Sequence, residues 1–370
     1  MREDAAYRLA NEADIASPAL IYYPSIIREN TERAIAMAGG AERLWPHVKT
    51  HKMAEMIDMQ LGMGIERFKC ATVAEMDMTC SRGAKHVLLA YPLLGPNIGR
   101  FLDTAAKYPE TVCYALGDSM EALTQLEAAC AARGATVNWL CDVNLGMDRT
   151  GVPLDCLADF CRRAAERFGH LRFMGLHCYD GQNHQNDPAE RQAAVDGQMA
   201  RVFEARAALR SAGVDTPIVI AGGSPTFPCH AAEAGVFLSP GTVFVWDWGY
   251  QVNYPDLPFK PGAALLTRVV SHPAPGVFTL DLGYKAIAAD PAGQRGYLLE
   301  GNGAYPLFQS EEHWTWRMPE GREEDRPAIG QVMYVIPTHI CPTTALHRAA
   351  KLAENGRAAG EWLVAARNRD

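Results

Sequence analysis

TVCYALGDSMEALTQLEAACAARGATVNWLCDV, residues 111–143, holds the reading that decides the fold. Thr111–Leu116 and Val137–Val143 are short runs rich in apolar and aromatic residues, and Ser119–Ala132 between them has a helical pattern. Short runs that are apolar on both faces suit strands covered on both sides. The local unit is therefore strand, helix, strand.

The same unit recurs in both directions. Arg43–Lys49, Phe68–Val73 and His86–Tyr91 precede it, and Leu171–Tyr179, Pro217–Ala221 and Val236–Leu238 follow. Helical patterns such as Met53–Leu61, Leu154–Arg167 and Ala189–Ala212 lie between them. An unbroken alternation implies a parallel sheet. Eight units, counted over about 200 residues, is the number that closes an α/β (β/α)8 TIM barrel. The competing open, doubly wound sheet normally stops at about five or six strands.

After Pro261 the texture becomes β-rich. Leu265–Val270, Gly276–Asp281, Tyr297–Glu300 and Gln331–Ile336 read as strands, and Asn355-Gly356 is a hairpin signal. Leu20–Tyr23 is a candidate to pair with this second unit. The expected domains are a barrel over 18–258 and a β-rich domain over 259–370 together with 1–17.

Composition narrows the function classes. At 48% hydrophobic and 21% charged, the chain is expected to fold rather than remain disordered. A net charge of −8 argues against a general nucleic-acid binder. Every apolar run is broken short of the ~20 residues a membrane helix needs. Met1–Asn11 shows no apolar signal region. The ten cysteines include no Cys-x-x-Cys pair, and most sit in apolar runs as small buried hydrophobes. A reducing, cytoplasmic location is expected.

Barrel enzymes carry their chemistry at the C-terminal ends of the strands, where this chain places its unusual residues. The first strand ends in Pro46-His47-Val48-Lys49-Thr50-His51-Lys52. So many ionisable groups at the end of a buried strand are costly unless paired or used, and a solvated loop is the plain alternative. Lys49 stands where a Schiff-base lysine would be placed. The fifth strand ends in Asp142-Val-Asn-Leu-Gly-Met-Asp-Arg149-Thr-Gly151, and the sixth in His177-Cys-Tyr179-Asp180-Gly181, an aromatic ring and an acid at the mouth. The seventh runs into Ala221-Gly222-Gly223-Ser224-Pro225-Thr226, small residues suited to a phosphate cradle. Outside the barrel, His339-Ile340-Cys341 reads as a strand with both side chains on one face. An imidazole and a thiolate together suit Zn²⁺ with open positions; a buried His beside a buried Cys is the plain alternative.

Taken in order, these motifs, with Pro240-Gly241-Thr242, Asp281-x-Gly-x-Lys285-Ala286 and Pro337-x-His-x-Cys-Pro-Thr343, resemble the D-threonine aldolase/D-serine dehydratase family. Members are fold-type III pyridoxal-phosphate enzymes, an alanine-racemase-like barrel plus a β domain. The resemblance covers almost the whole chain. It implies that Lys49 holds pyridoxal 5'-phosphate covalently, that Arg149 contacts the ring's phenolic oxygen, and that Tyr179 lies against the pyridine ring. Gly222, Gly223 and Ser224, with Thr226, Gly241 and Thr242, would hold the phosphate. His339 and Cys341 would bind zinc, manganese or another divalent metal beside the substrate's β-hydroxyl. Aldolase-type members show His-x-Asp here and dehydratase-type members His-x-Cys.

The resemblance therefore implies a D-amino-acid lyase. Dehydration of D-serine or D-threo-3-hydroxyaspartate to keto acid and ammonia is the first reading. Cleavage of D-threonine or 3-hydroxy-D-aspartate to glycine and aldehyde is the second. A racemase, or a non-catalytic cofactor carrier, are further alternatives. His51, Lys52 and His184 are candidates for a substrate carboxylate. Trp246, Trp248, Tyr250 and Tyr254 would wall the pocket or pack the interface of a homodimer. Glu311, Glu312 and His313 would reach the metal region or lie on a solvated turn.

Overall fold

A computed structural model describes residues 4–369, which form two compact units. The barrel unit comprises Glu32–Lys49 and Met56–Gly241, with the described residues from Asn368 onward. The β-rich unit comprises the described residues up to Thr31, Thr50–Glu55 and Thr242–Arg367.

In the barrel unit, seven parallel strands lie side by side in chain order: Arg67–Cys70, His86–Pro92, Val112–Gly117, Val137–Asn144, Leu171–Cys178, Ile218–Ala221 and Phe237–Leu238. Leu44 pairs with Leu238 and His47 with Lys69, both in parallel, so residues 44–47 close the ring as an eighth strand. This is the (β/α)8 barrel expected from the alternation. The strands are apolar on both faces because helices cover them outside while Trp45, Leu88, Tyr114, Leu140 and Ile220 pack together in a buried cluster. The first strand is shorter than expected. Val48–Thr50 already turns as a 3-10 segment, so Lys49 stands on a turn rather than in the strand.

Local chemistry sets the helix limits. Ser119 accepts a hydrogen bond from the Ala122 N–H and opens Met120–Arg133, and left-handed Gly134 ends it. Thr72 caps Val73–Ser81 through the Glu75 N–H, while the Glu75 carboxylate accepts from the Ala71 N–H.

The β-rich unit is built on Ala263–Ala274, which pairs antiparallel with Ala19–Tyr22, Val277–Leu280 and Val332–Pro337. Ala19–Tyr22 also pairs in parallel with Ala349–Glu354, so the segment expected to pair with the β-rich unit does so. Asn355 and Gly356, both at positive φ, turn the hairpin to Arg357–Leu363. Two further strands, Tyr305–Gln309 and Trp314–Arg317, lacked a clear sequence signal because the first is mostly exposed and holds a proline. All ten cysteines are free, and among the described residues no helix is long and apolar enough to cross a membrane.

Candidate active site

A cavity of about 580 Å³ opens in the barrel unit. Lys49, Arg149, Asp142, His177 and Tyr179 line it, with His47 and Thr150. The residues singled out at the ends of the first, fifth and sixth strands therefore converge. The Tyr179 ring lies at their centre. Arg149 Cζ is 5.2 Å from its centroid, Lys69 Nζ 5.6 Å and Lys49 Nζ 6.0 Å. Lys49 and Arg149, both near this ring, give the cavity a cationic wall.

The loops hold these groups by local bonds. Asn144 Oδ1 accepts from the N–H groups of Gly146 and Asp148, shaping the turn that presents Arg149. Tyr179 lies over Gly181, where a Cβ would come within 2.5 Å of its Cζ. That close approach is why Tyr-x-Gly is needed here.

The Gly222–Ser224 turn forms another part of the unit. Gly222 is at φ +85°, and a Cβ there would meet Phe227 Cα at 2.9 Å. Ser224 Oγ accepts from the Gly241 N–H. Asp180 supports the turn from beneath: its Oδ1 accepts from the Gly223 N–H at 2.9 Å and from Thr226 Oγ1 at 2.7 Å. Two expectations change. Asp180 is fully buried instead of standing at the mouth, because His230, Thr226 and Gly223 satisfy it inside. The Thr226 hydroxyl is committed to the same carboxylate, which makes Thr226 a support of the turn.

Sequence reading missed Lys69, Asp142 and His177 as a set. His177 Nδ1 donates to Asp142 Oδ1 at 2.7 Å, and His177 Nε2 lies 3.3 Å from Lys69 Nζ. Burial first, then repulsion from Lys49, lower the Lys69 amine to about 7, with Asp142 and Asp180 opposing. Burial and Lys69 lower the His177 imidazole despite Asp142. Burial pushes the Asp142 carboxyl up, but its bonds to His177 and Thr150 hold it below the usual range. The overlooked signal was a lysine in the middle of a buried strand, Arg67–Cys70.

In the β-rich unit, His339 and Cys341 sit at a strand-to-helix turn. The strand ends at Pro337, and His339 precedes the helix Ile340–Leu346, so the expected extended strand is not formed. Asp247 ends that strand geometry by accepting from the Ile340 N–H at 3.1 Å. His339 Nδ1 donates to Asp290 Oδ2 at 2.5 Å, which leaves Nε2 as the outward donor atom. Cys341 Sγ lies 3.3 Å from Thr50 Oγ1 and 3.4 Å from Thr242 Oγ1. Burial pulls the His339 pKa down, but Cys341 and Asp290 outweigh it and push it up to about 9. Among the described residues no three His, Cys, Asp or Glu side chains gather as a ready-made metal cage. An imidazole held by a carboxylate, with a thiol two residues on, nonetheless fits a metal with open positions.

None of the other candidates lines this cavity. His51 is sealed, its Nδ1 accepting from the Met53 N–H. Lys52 takes a positive φ. His184 and His313 are exposed, and Glu311 and Glu312 pair with Lys285. Trp246 and Tyr254 are buried within the β-rich unit, with Tyr250 packed between their rings, and Trp248 stacks on Tyr297 at 4.1 Å. These contacts replace the expected pocket wall or dimer interface for the two buried rings.

Comparison with known proteins agrees with this fold. The model of the alanine racemase N-terminal domain matches residues 24–245. The chain belongs to that family. Residues 262–352 match a putative serine dehydratase domain. D-threonine aldolase of Arthrobacter sp. is 29% identical over 342 residues, covering 90% of this chain and 88% of that one. D-threo-3-hydroxyaspartate dehydratase of Delftia sp. is 24% identical over 326 residues, covering 82% and 84%. The solved D-threonine aldolase from Filomicrobium marinum has a TM-score of 0.87 at 26% identity, covering 96% of each chain. These three relatives are two aldolases and a dehydratase, each named for a reaction of a β-hydroxy D-amino acid.

Proposed function

We propose that this protein is a pyridoxal-phosphate- and divalent-metal-dependent lyase of D-β-hydroxy amino acids, with dehydration as the first reading. The carrying observation is Cys341 beside His339, the His-x-Cys form in which this chain resembles the dehydratase type.

The barrel cavity suits an anionic aromatic aldehyde: one accessible lysine on a turn, an arginine and an aromatic ring, and a turn that only glycine fits. Lys49 would hold the cofactor through its amine, Arg149 its phenolic oxygen and Tyr179 its ring face. Gly222, Gly223, Ser224 and Gly241 would hold its phosphate, with Thr242 following in sequence. When bound, the cofactor serves as an electron sink for a carbanion at Cα. Lys49 Nζ is then the group that takes or returns a proton at Cα, and the cationic wall holds substrate carboxylate charge. His339 and Cys341 would hold the metal, zinc being favoured by the thiolate, and its chemistry is Lewis acidity toward a hydroxyl.

The second reading, an aldolase, is favoured by the Arthrobacter relative at 29% identity. Incubation with D-serine, D-threonine and D-threo-3-hydroxyaspartate, with cofactor and zinc or manganese, separates the two. Keto acid with ammonia supports dehydration; glycine with an aldehyde replaces it by cleavage. The L-enantiomer alone would mean racemisation, and no product from any substrate would reject the lyase reading.

A further inference from the structure

A (β/α)8 barrel normally fills its interior with layers of apolar side chains. Here one layer, which reaches the cavity wall through Asp142 and His177, is polar. Lys69, Asp142, His177 and Ser239 come from four different parts of the ring and are all buried. Lys69 is the only lysine in the buried class among the described residues.

Counting hydrogens settles the direction of each bond. Ser239 Oγ has one hydrogen, and it goes to the Gly222 carbonyl at 3.0 Å. Its lone pairs then accept from Lys69 Nζ at 2.7 Å. Asp142 already receives the Thr150 hydroxyl on Oδ2 at 2.7 Å, and as a carboxylate it can only accept. The His177 proton must therefore sit on Nδ1, facing Asp142 Oδ1. His177 Nε2 is left as an acceptor, and the group facing it is Lys69 Nζ. This one arrangement gives every polar atom of the layer a partner, and the two acceptors facing Lys69 Nζ match the two hydrogens of a neutral amine. An apolar residue at position 69 would avoid the cost of burying an amine beside Lys49 and Arg149. The layer nevertheless keeps it.

We propose that Lys69 is a positioning residue: it fixes the His177 ring on the cavity wall as the Nδ1–H tautomer, and through Ser239 it ties that wall to the Gly222–Ser224 turn. It touches no substrate in this role. It acts through His177 and through the Gly222 carbonyl.

The tautomer can be read without any turnover, from the ring nitrogen signals of protein labelled with 15N-histidine, His177 being assigned by its loss in His177→Gln. The wild-type spectrum should show a protonated Nδ1 and a bare Nε2. Lys69→Met should disturb that state, while Lys69→Gln, whose amide can still donate, should restore it. A protonated Nε2 in the wild type overturns the proposal even if Lys69→Met fails to fold. So does a Lys69→Met spectrum identical to wild type.

The kinetic arm rests on the lyase reading. Lys69→Met should lower kcat/KM about tenfold, the effect of one lost hydrogen bond to a charged group, and alter its pH profile. Lys69→Gln should recover most of both. A Lys69→Met enzyme that is merely less stable, with an unchanged profile, means a structural role only. Absence of turnover in the wild type would instead reject the lyase reading and leave the spectroscopic result standing.

Discussion

Asp180 Oδ2 and His230 Nε2 lie 2.9 Å apart, both sealed from solvent beneath the Gly222–Ser224 turn. The other carboxylate oxygen holds the Gly223 N–H and the Thr226 hydroxyl. One buried acid thus sets the shape of the turn proposed to hold phosphate.

Asp180→Ala would leave the His230 imidazole without its partner and take the nearer acceptor from the Thr226 hydroxyl, while the Gly223 N–H keeps only Thr226 Oγ1. Breaking a buried pair from one side costs about 3–5 kcal/mol. Urea unfolding should show a loss of that order, and affinity for pyridoxal phosphate should fall in whatever fraction folds. Affinity equal to wild type would separate Asp180 from the turn's function.

Borohydride reduction of the protein with pyridoxal phosphate should attach the cofactor to the peptide containing Lys49, read by mass spectrometry. Lys49→Ala should abolish the label and lower turnover about 10³-fold or more. Label on Lys69 instead would move the assignment one strand along.

Cys341→Ala should lower turnover by about 100-fold and weaken zinc binding measured by calorimetry. Asp290→Asn should weaken it by about 10–100-fold, since the carboxylate orients the His339 ring. Wild-type turnover that survives exhaustive chelation would remove the metal from the reaction.

Acid stability tests His51, whose imidazole is pushed down to about 3 by burial. A depressed folded pKa means that the unfolded chain binds the proton first. The stability from a neutral His51 is complete above pH 6.5 and is lost as pH falls toward 3. For this sealed ring the loss is on the order of 5 kcal/mol. His51→Asn keeps a local acceptor without a titrating group, so its unfolding free energy should fall less steeply over that range. Equal slopes would show that His51 is not the cause.

The alternation of buried runs and helices needed no tertiary information, because strand and helix periods are local properties of the chain. The same holds for the hairpin at Asn355-Gly356 and for the motif ends carrying Lys49, Arg149 and Tyr179, which the barrel brings to one cavity. His339 and Cys341 were legible as a pair, but not their geometry: a helix start replaces the strand because the buried carboxylate of Asp247, far away in sequence, takes the Ile340 N–H.

Whether a polar side chain turns inward depends on partners that only folding supplies. Asp180 looks like a mouth residue until His230, 50 residues later, closes on it. His51 looks available until packing seals it. Lys69 has no local mark beyond its place in a strand, yet its partners His177 and Ser239 lie 108 and 170 residues away. The sequence alone determined the barrel, its motif ends and the family they resemble. The tertiary structure decided which charged groups are used and which are sealed, since a buried charge is tolerated only where distant strands bring it a partner.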